Sequence, residues 1–522
     1  MKPLTVLLFW SAPALAQQRP AADVGPQAAH SKRIEQDVAV IPLGNGELPK
    51  HFDVRGLMKI LGVPGISVAV FDNYRILWSK GYGVAGPGSS TPVTPHTLFQ
   101  AGDISQGVSA AATLALVEQG KLSLDKNVND ELRTWKLPDN ELTKTEKVTL
   151  RRILSHTAGL TAPDFLGYPS GDHGAHANVG LIPTVQQLLD GEKPADTAPV
   201  RVKMVPGTKF QESQGGTTIE QVVVADATDK AFPEAMRDLV LHKTGMNEST
   251  FEQPLPAAQA RLAARGTSLD GTPIAGGWHI YPDMAARGLW TTPTDLARFA
   301  IEIASSTKRR SNKVLSQKMA ALMLEPQPEG RARCLGFFLN DSTNLATFSA
   351  DGATDGFQAM LAANRETGRG IVIMANSDHG LDVAAYLVPA ILKEFGWTGF
   401  PSPRVQAETI VRAIVSERNL DLALDWFRDL KASGTTRIGY GPYTLNRVGS
   451  LLLHNGDARG AIEILKRNTE LYPQSSLAYD LLGEAYLNDG DTALAITSYE
   501  KAVEVNPRND NAVQMLKKLR KP

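Results

Sequence analysis

The sequence predicts an α+β domain, an antiparallel sheet flanked by helices with a helical domain inserted into it, followed by an all-α module. Three observations predict this. Strand-like runs occur early, at 66–71 and 76–78, and return only late, at 345–348, 357–363 and 370–375. The stretch between them is rich in helical patterning, so distant segments must complete one sheet. Beyond residue 400, Gly449, Gly456, Ala461 and Pro473 recur as Gly483, Gly490, Ala495 and Pro507, each displaced by 34 residues.

The elements follow in order. Lys2, an apolar run from Leu4 to Trp10 and the small-x-small Ala14-Leu15-Ala16 read as a signal peptide over 1–16, cleaved after Ala16, so a periplasmic or secreted protein is expected. That run is too short to span a bilayer, and no later stretch approaches about 18 uninterrupted apolar residues, so the mature chain is not expected to be membrane-spanning. A net charge of −1 gives no footprint for nucleic acid. Residues 17–35 are polar and read as a flexible leader. Asp72-Asn73-Tyr74-Arg75 is a tight turn between the first two strands. An alanine-rich helix is predicted from about Ile104 to Glu118, with Gly120 to stop it, and another at about Val383–Phe395. Cys334, the only cysteine, lies in an apolar stretch and is assigned to packing. The first domain covers 36–398. Pro401-Ser402-Pro403 begins a linker and degenerate helical repeat at 399–435, with its helices within Ala407–Leu430. The period of 34 over 440–522, closed by a helix at Val513–Leu519, is that of tetratricopeptide repeats, which bind protein partners through their helices.

Several segments carry a more specific signal. They are Thr97-Leu98-Phe99-Gln100-Ala101-Gly102, Leu154-Ser155-His156-Thr157-Ala158-Gly159-Leu160, Pro206-Gly207-Thr208, Gly288-Leu289-Trp290-Thr291-Thr292-Pro293 and Gly352-Ala353-Thr354-Asp355-Gly356-Phe357. Over roughly residues 45–398 the chain resembles the class C β-lactamase and penicillin-binding-protein-like serine hydrolases. The resemblance implies a β-lactamase/transpeptidase-like sheet and no cofactor. It also implies a serine nucleophile at a helix start, a lysine one turn later, a tyrosine from the helical domain and a strand histidine or lysine before a glycine. Read by their flanks, those four positions hold Asp103, Gln106, Glu212 and Ala350.

The replacements change the chemistry. A glutamine cannot cycle a proton at neutral pH, and loss of the nucleophile alone typically lowers kcat by about 10⁶. A ligand pocket of Asp103, Gln106, Glu212, Gln214, Asp351 and Gly352 is therefore expected to bind a small-molecule or cell-wall-like ligand without hydrolysing it. The alternatives are an active esterase, peptidase or β-lactamase using non-standard residues, and an interaction scaffold with a vestigial pocket. Loss of a lysine and gain of two acids makes Asp103 and Glu212 candidates for holding a metal or a cationic group. A plainer role for Asp103 is to cap the helix N-terminus. His156 is expected to support its turn. Asp172, His173 and His176, in a glycine-rich loop, are weaker metal candidates. Ser105, the Ser305/Lys308 pair and Lys243-Thr244-Gly245 mimic catalytic motifs in the wrong context.

Overall fold

A computed structural model describes residues 26–36, 38–41, 50–162, 165, 167–169, 182–328, 332–341, 344–417 and 419–520. The segment read as a signal peptide and the loop carrying Asp172, His173 and His176 lie outside the described residues. Among the described residues no helix is long and apolar enough to cross a membrane.

Six strands form the central sheet: β1 (Gly65–Asp72), β2 (Arg75–Gly83), β3 (Phe338–Asp341), β4 (Asn344–Thr354), β5 (Phe357–Asn364) and β6 (Arg369–Ala375). Their order is β2-β1-β6-β5-β4-β3, antiparallel throughout, so two N-terminal strands are joined edge to edge with four from the far end of the domain. The β1–β2 turn places Asn73 and Tyr74 at positive φ (49° and 62°), which matches the right-handed twist of the strands it joins. The Tyr74 N–H donates to Gly368 O at 3.0 Å, a tertiary contact that helps hold an aromatic residue in this conformation.

Period-two alternation splits the strand residues between two apolar layers. Ala69, Phe71, Val372 and Met374 point to the front core, and Val68, Val70, Ile371 and Ile373 to the back. The insertion between β2 and β3 covers the front. Its centre is the helix Ile104–Glu118, which is buried from Ile104 to Leu116 because Gly107, Ser109 and Ala110–Ala112 leave room for neighbours on every side. Helices Gln214–Thr228 and Pro293–Thr307 pack around it.

The back layer is built from helices at both ends of the first domain, α1 (Pro26–Gln36), α2 (Val54–Leu61) and α6 (Gly380–Phe395), counting the three front helices as α3, α4 and α5. The leader expected to be flexible is thus helical over its last part. Ile34 is buried there, and His30 Nδ1 and Arg33 Nη2 each lie 2.6 Å from Glu394 Oε1 on α6, so tertiary partners fix a segment that composition alone describes as polar.

Seven more helices complete the chain: α7 (Ala407–Ser416), α8 (Leu420–Ser433), α9 (Pro442–His454), α10 (Ala458–Leu471), α11 (Ser476–Asp489), α12 (Thr492–Val505) and α13 (Asp510–Leu519). The repeat period has a packing cause. A Cβ at Gly449 would lie 2.7 Å from the Leu465 side chain, and one at Gly483 would lie 2.9 Å from the Tyr499 ring, so each pair of helices closes over a missing side chain. Helices α7 and α8 lie within the segment expected to be a degenerate repeat.

This module is not tethered loosely. Its core, including Ile410, Val411 and Phe427, is continuous with the back layer of the sheet. At the seam a buried polar cluster joins the two. Arg412 Nη2 lies 2.7 Å from Glu408 Oε1 and Arg412 Nη1 donates to Leu61 O at 3.2 Å, while His379 Nδ1 on the domain side lies 2.7 Å from Asp382 Oδ2. Removing Glu408 leaves Arg412 buried without its carboxylate, a change that costs about 3–5 kcal/mol in comparable sites. Glu408→Ala should therefore lower the thermal midpoint clearly, whereas Asp425→Ala, which breaks only an exposed pair with Arg428, should leave it nearly unchanged. Equal effects would show that the seam cluster carries no stability.

A second buried acid lies in the front layer. Glu220 on α4 is 1% exposed, and its Oε1 accepts from Ser109 Oγ at 3.0 Å and Thr113 Oγ1 at 2.6 Å on α3. Burial pushes its carboxyl up to about 7, although both hydroxyls favour the anion. The folded chain thus holds this proton more tightly than the unfolded one. The resulting stabilisation is full below about pH 4.5 and is lost as pH rises through about 7. Glu220→Gln keeps the neutral shape, so its melting temperature relative to wild type should rise between about pH 5 and about pH 8. A pH-independent difference would show that Glu220 is not buried neutral.

Candidate functional site

The site forms where the N-terminus of α3 meets β4. Two glycines allow the approach. A Cβ on Gly102, which has φ +54°, would lie 2.4 Å from Ala353 N, and one on Gly352 would lie 2.0 Å from Ala101 O. Asp103 follows at the head of α3. It does not cap the helix: its backbone is already helical and its side chain accepts no N–H from the first turn. The carboxylate turns into the site instead. Oδ1 accepts from Gln106 Nε2 at 3.2 Å and lies 3.5 Å from Arg287 Nε, while Oδ2 faces the Ala353 N–H at 3.5 Å.

Gln106, one turn along, is 3% exposed and fully engaged. His156 Nε2 lies 2.9 Å from Gln106 Oε1, and Arg333 Nη2 donates to the same oxygen at 3.1 Å. His156 Nδ1 accepts the Ser213 N–H at 3.2 Å, which puts the ring proton of the neutral imidazole on Nε2, directed at Gln106. Burial, reinforced by the Arg333 charge, holds His156 well below its usual pKa, so it is neutral at physiological pH. Its role is therefore wider than support of its own turn: it ties the Leu154–Leu160 segment to α3 and to the start of α4.

Arg333 was not foreseen among the site residues. It is 4% exposed, with its guanidinium 4.2 Å from the centre of the Phe338 ring and Nη2 2.9 Å from His156 Nε2. Burial lowers it to about 10, opposed by the negative charges of Glu212 and Asp103, and it stays a cation at neutral pH. Arg287, likewise unforeseen, lies at the end of the short helix Met284–Arg287 and donates to Phe165 O at 3.1 Å. With its amide oxygen turned toward Arg287, Gln214 accepts from Nε at 3.0 Å. The one sequence signal for either arginine is position: each directly precedes an apolar Gly- or Cys-led stretch, Gly288-Leu289-Trp290 or Cys334-Leu335-Gly336.

The other expected residues divide. Glu212 is exposed, just before Ser213, whose Oγ caps α4 by accepting from Gly216 N. Ala350 is buried on the front face of β4, opposite Leu361. Asp351 is a correction. It pairs across the sheet with Met360, which packs in the back core, so alternation sends its carboxylate away from Asp103. The two site acids are thus matched by two guanidiniums, and the expected acid surplus is compensated from distant segments. Among the described residues no group of three His, Cys, Asp or Glu could hold a metal, and a metal at Asp103 would have to displace Arg287.

The motif mimics are structural. Ser105 Oγ donates to Gly102 O at 2.6 Å and accepts from Leu289 N at 3.1 Å. Lys243 and Thr244 end a short helix that Gly245 terminates in the left-handed region, away from any strand. Ser305 and Lys308 close α5. Cys334 is fully buried, and burial pushes its thiol up to about 12.

The comparisons with known proteins agree with this geometry. A tetratricopeptide repeat model matches residues 477–509. Penicillin-binding protein 4 of Amycolatopsis lactamdurans is 27% identical over 313 residues, covering 56% of this chain and 76% of that protein. Protein flp of Staphylococcus aureus (strain MW2) is 22% identical over 329 residues, and the match spans 60% of its length. Among solved structures, the octameric penicillin-binding protein homologue from Pyrococcus abyssi aligns with a TM-score of 0.52 at 21% identity, over 66% of this chain and 76% of that one. A class C β-lactamase mutant aligns with a TM-score of 0.52 at 22% identity, over 71% and 99%. These structural likenesses establish the fold. The Beta-lactamase family model matches residues 53–394, well over half of the sequence, and the chain belongs to that family.

Proposed function

We propose that this protein is a non-hydrolytic member of its family, which binds a small polar ligand in the altered pocket and a protein partner through its helical repeats. One observation carries the first part. The place of the catalytic base is filled by an amide, Gln106, whose oxygen is taken by neutral His156 and by the Arg333 guanidinium. Gln106 and the Arg333 cation have no site that takes up a proton at neutral pH, and the acceptor nitrogen of His156, Nδ1, is occupied by the Ser213 N–H. Asp103, in the nucleophile's place, is an anion held by Arg287 and Gln106.

The balance of charge bears on the ligand. Exposed Glu212 offers a negative group, and Arg287, which also holds Asp103, a positive one, and the pair suits a zwitterion such as a short cell-wall-like peptide better than a bare metal or amine. Calorimetry with a zwitterionic dipeptide should give binding that Glu212→Ala and Arg287→Ala each weaken. Binding indifferent to both variants would remove this pocket as the site. The partner reading is supported by the repeat itself and by the exposed Tyr443 and Leu477 on the module. It is tested with substitutions at those two positions, because deleting 400–522 would strip the back layer of the sheet.

Loss of chemistry is tested by restoring it. Wild type should show no turnover of a chromogenic β-lactam or a p-nitrophenyl ester above background. Asp103→Ser, Gln106→Lys, Glu212→Tyr and Ala350→His together should also stay inactive, because the new ammonium meets the buried Arg333 charge. Adding Arg333→Gln should be required for activity to appear. Turnover by wild type would overturn the non-hydrolytic reading outright.

A further inference from the structure

A cleft of about 810 Å³ runs along the seam between the sheet domain and the helical module, far in sequence from Asp103 and its partners. Its size is that of small-molecule sites, which favour such seams. We propose that it binds an anionic amphiphile in which an apolar acyl chain is joined through an amide or ester carbonyl to a carboxylate.

Three features of the walls define this class. The body is apolar on both sides, with Met58, Val63 and Pro64 from the domain facing Val415, Val448 and Leu452 from the module. The charges along it are mostly committed. Lys50 is paired with Glu417, and Arg412 with Glu408 at 2.7 Å. Asp270 is tied into its own turn: although burial alone would raise it, the Ser268 and Thr272 hydroxyls and the Thr272 N–H hold it at about 2. Lys59 remains, exposed on the last turn of α2 and without an ion-pair partner among the described residues. Lys59 is thus the lining cation without an ion-pair partner among the described residues, and it favours a negative group on the ligand placed beside it and away from Asp270.

The third feature lies in the inner wall. Arg412 Nε and Thr267 Oγ1 belong to side chains 4% and 1% exposed, and neither atom has a hydrogen-bond partner. Unpaired buried donors are costly, and both side chains line this one cleft. Glu408 already stands against Arg412, so a second anion there is unfavourable and a neutral carbonyl oxygen is the fitting acceptor. The apolar walls, the buried donors and Lys59 each answer one part of such a ligand: the chain, the carbonyl and the carboxylate. A ligand bound this way touches both units and strengthens their docking.

Calorimetric titration of the full chain with N-dodecanoylglycine tests the site. Saturable binding near one per chain is expected, with a raised melting temperature. Lys59→Glu, an exposed change, should weaken it at least about tenfold, and Leu451→Trp, which fills the cleft from α9, should abolish it. Dodecyltrimethylammonium, with the same chain and the opposite charge, should not bind. Absence of saturable binding to the folded protein would overturn the proposal. So would wild-type affinity in both variants, or equal binding of the cationic amphiphile.

Discussion

A six-stranded antiparallel sheet with two apolar faces has to be covered on both, and the organisation of this chain follows from how that is done. Strands β1 and β6 contribute to both layers by alternation, so neither face can be left to solvent. The front is covered by the long insertion between β2 and β3, which brings α3 up against β4 and so creates the pocket. The back is covered by helices from the two ends of the first domain, and by the first helices of the module that lie on them. Pocket and repeat module are thus opposite sides of one structural demand, with the sheet between them.

Within the pocket, side chains of opposite charge are set against one another. Gln106 on α3 is neutral, and the Arg333 guanidinium reaches its side-chain oxygen from a distant segment. The Asp103 carboxylate is compensated by Arg287. Pairing of this kind lets two acids persist in a partly buried site, since an unpaired buried charge is far more costly than a paired one. The result is a set of side chains locked by mutual hydrogen bonds, which suits recognition better than proton transfer.

Much of this was legible in the sequence. The bounds of α3, the tight turn at Asn73-Tyr74 and the strands near the end of the domain depend on local patterning, which a single sequence records well. The 34-residue recurrence reports a helix contact that repeats, so it was legible too. What was missed depends on long-range contact. Arg333 reaches Gln106 across 227 residues and Arg287 reaches Asp103 across 184, and the apolar stretch that follows each does not tell which residue it will meet. Helix α1 has little apolar character of its own and is fixed by Glu394. Asp351 was misplaced for a different reason: being adjacent to Ala350 on a strand puts it on the other face, a rule available from sequence once the strand is recognised.

The carboxylate of Asp103 facing the Ala353 N–H has a consequence for inhibitor chemistry. In acyl-transfer sites, backbone donors stabilise the negative oxygen of the tetrahedral state. Here the chain supplies its own full negative charge to one such donor. Boronates, phosphonates and other mimics of that state carry an anionic oxygen and would have to evict Asp103 from between Arg287 and the strand. A ligand oxygen that carries a negative charge therefore meets the Asp103 carboxylate on its way to the Ala353 N–H, and a neutral group approaches that donor at lower cost.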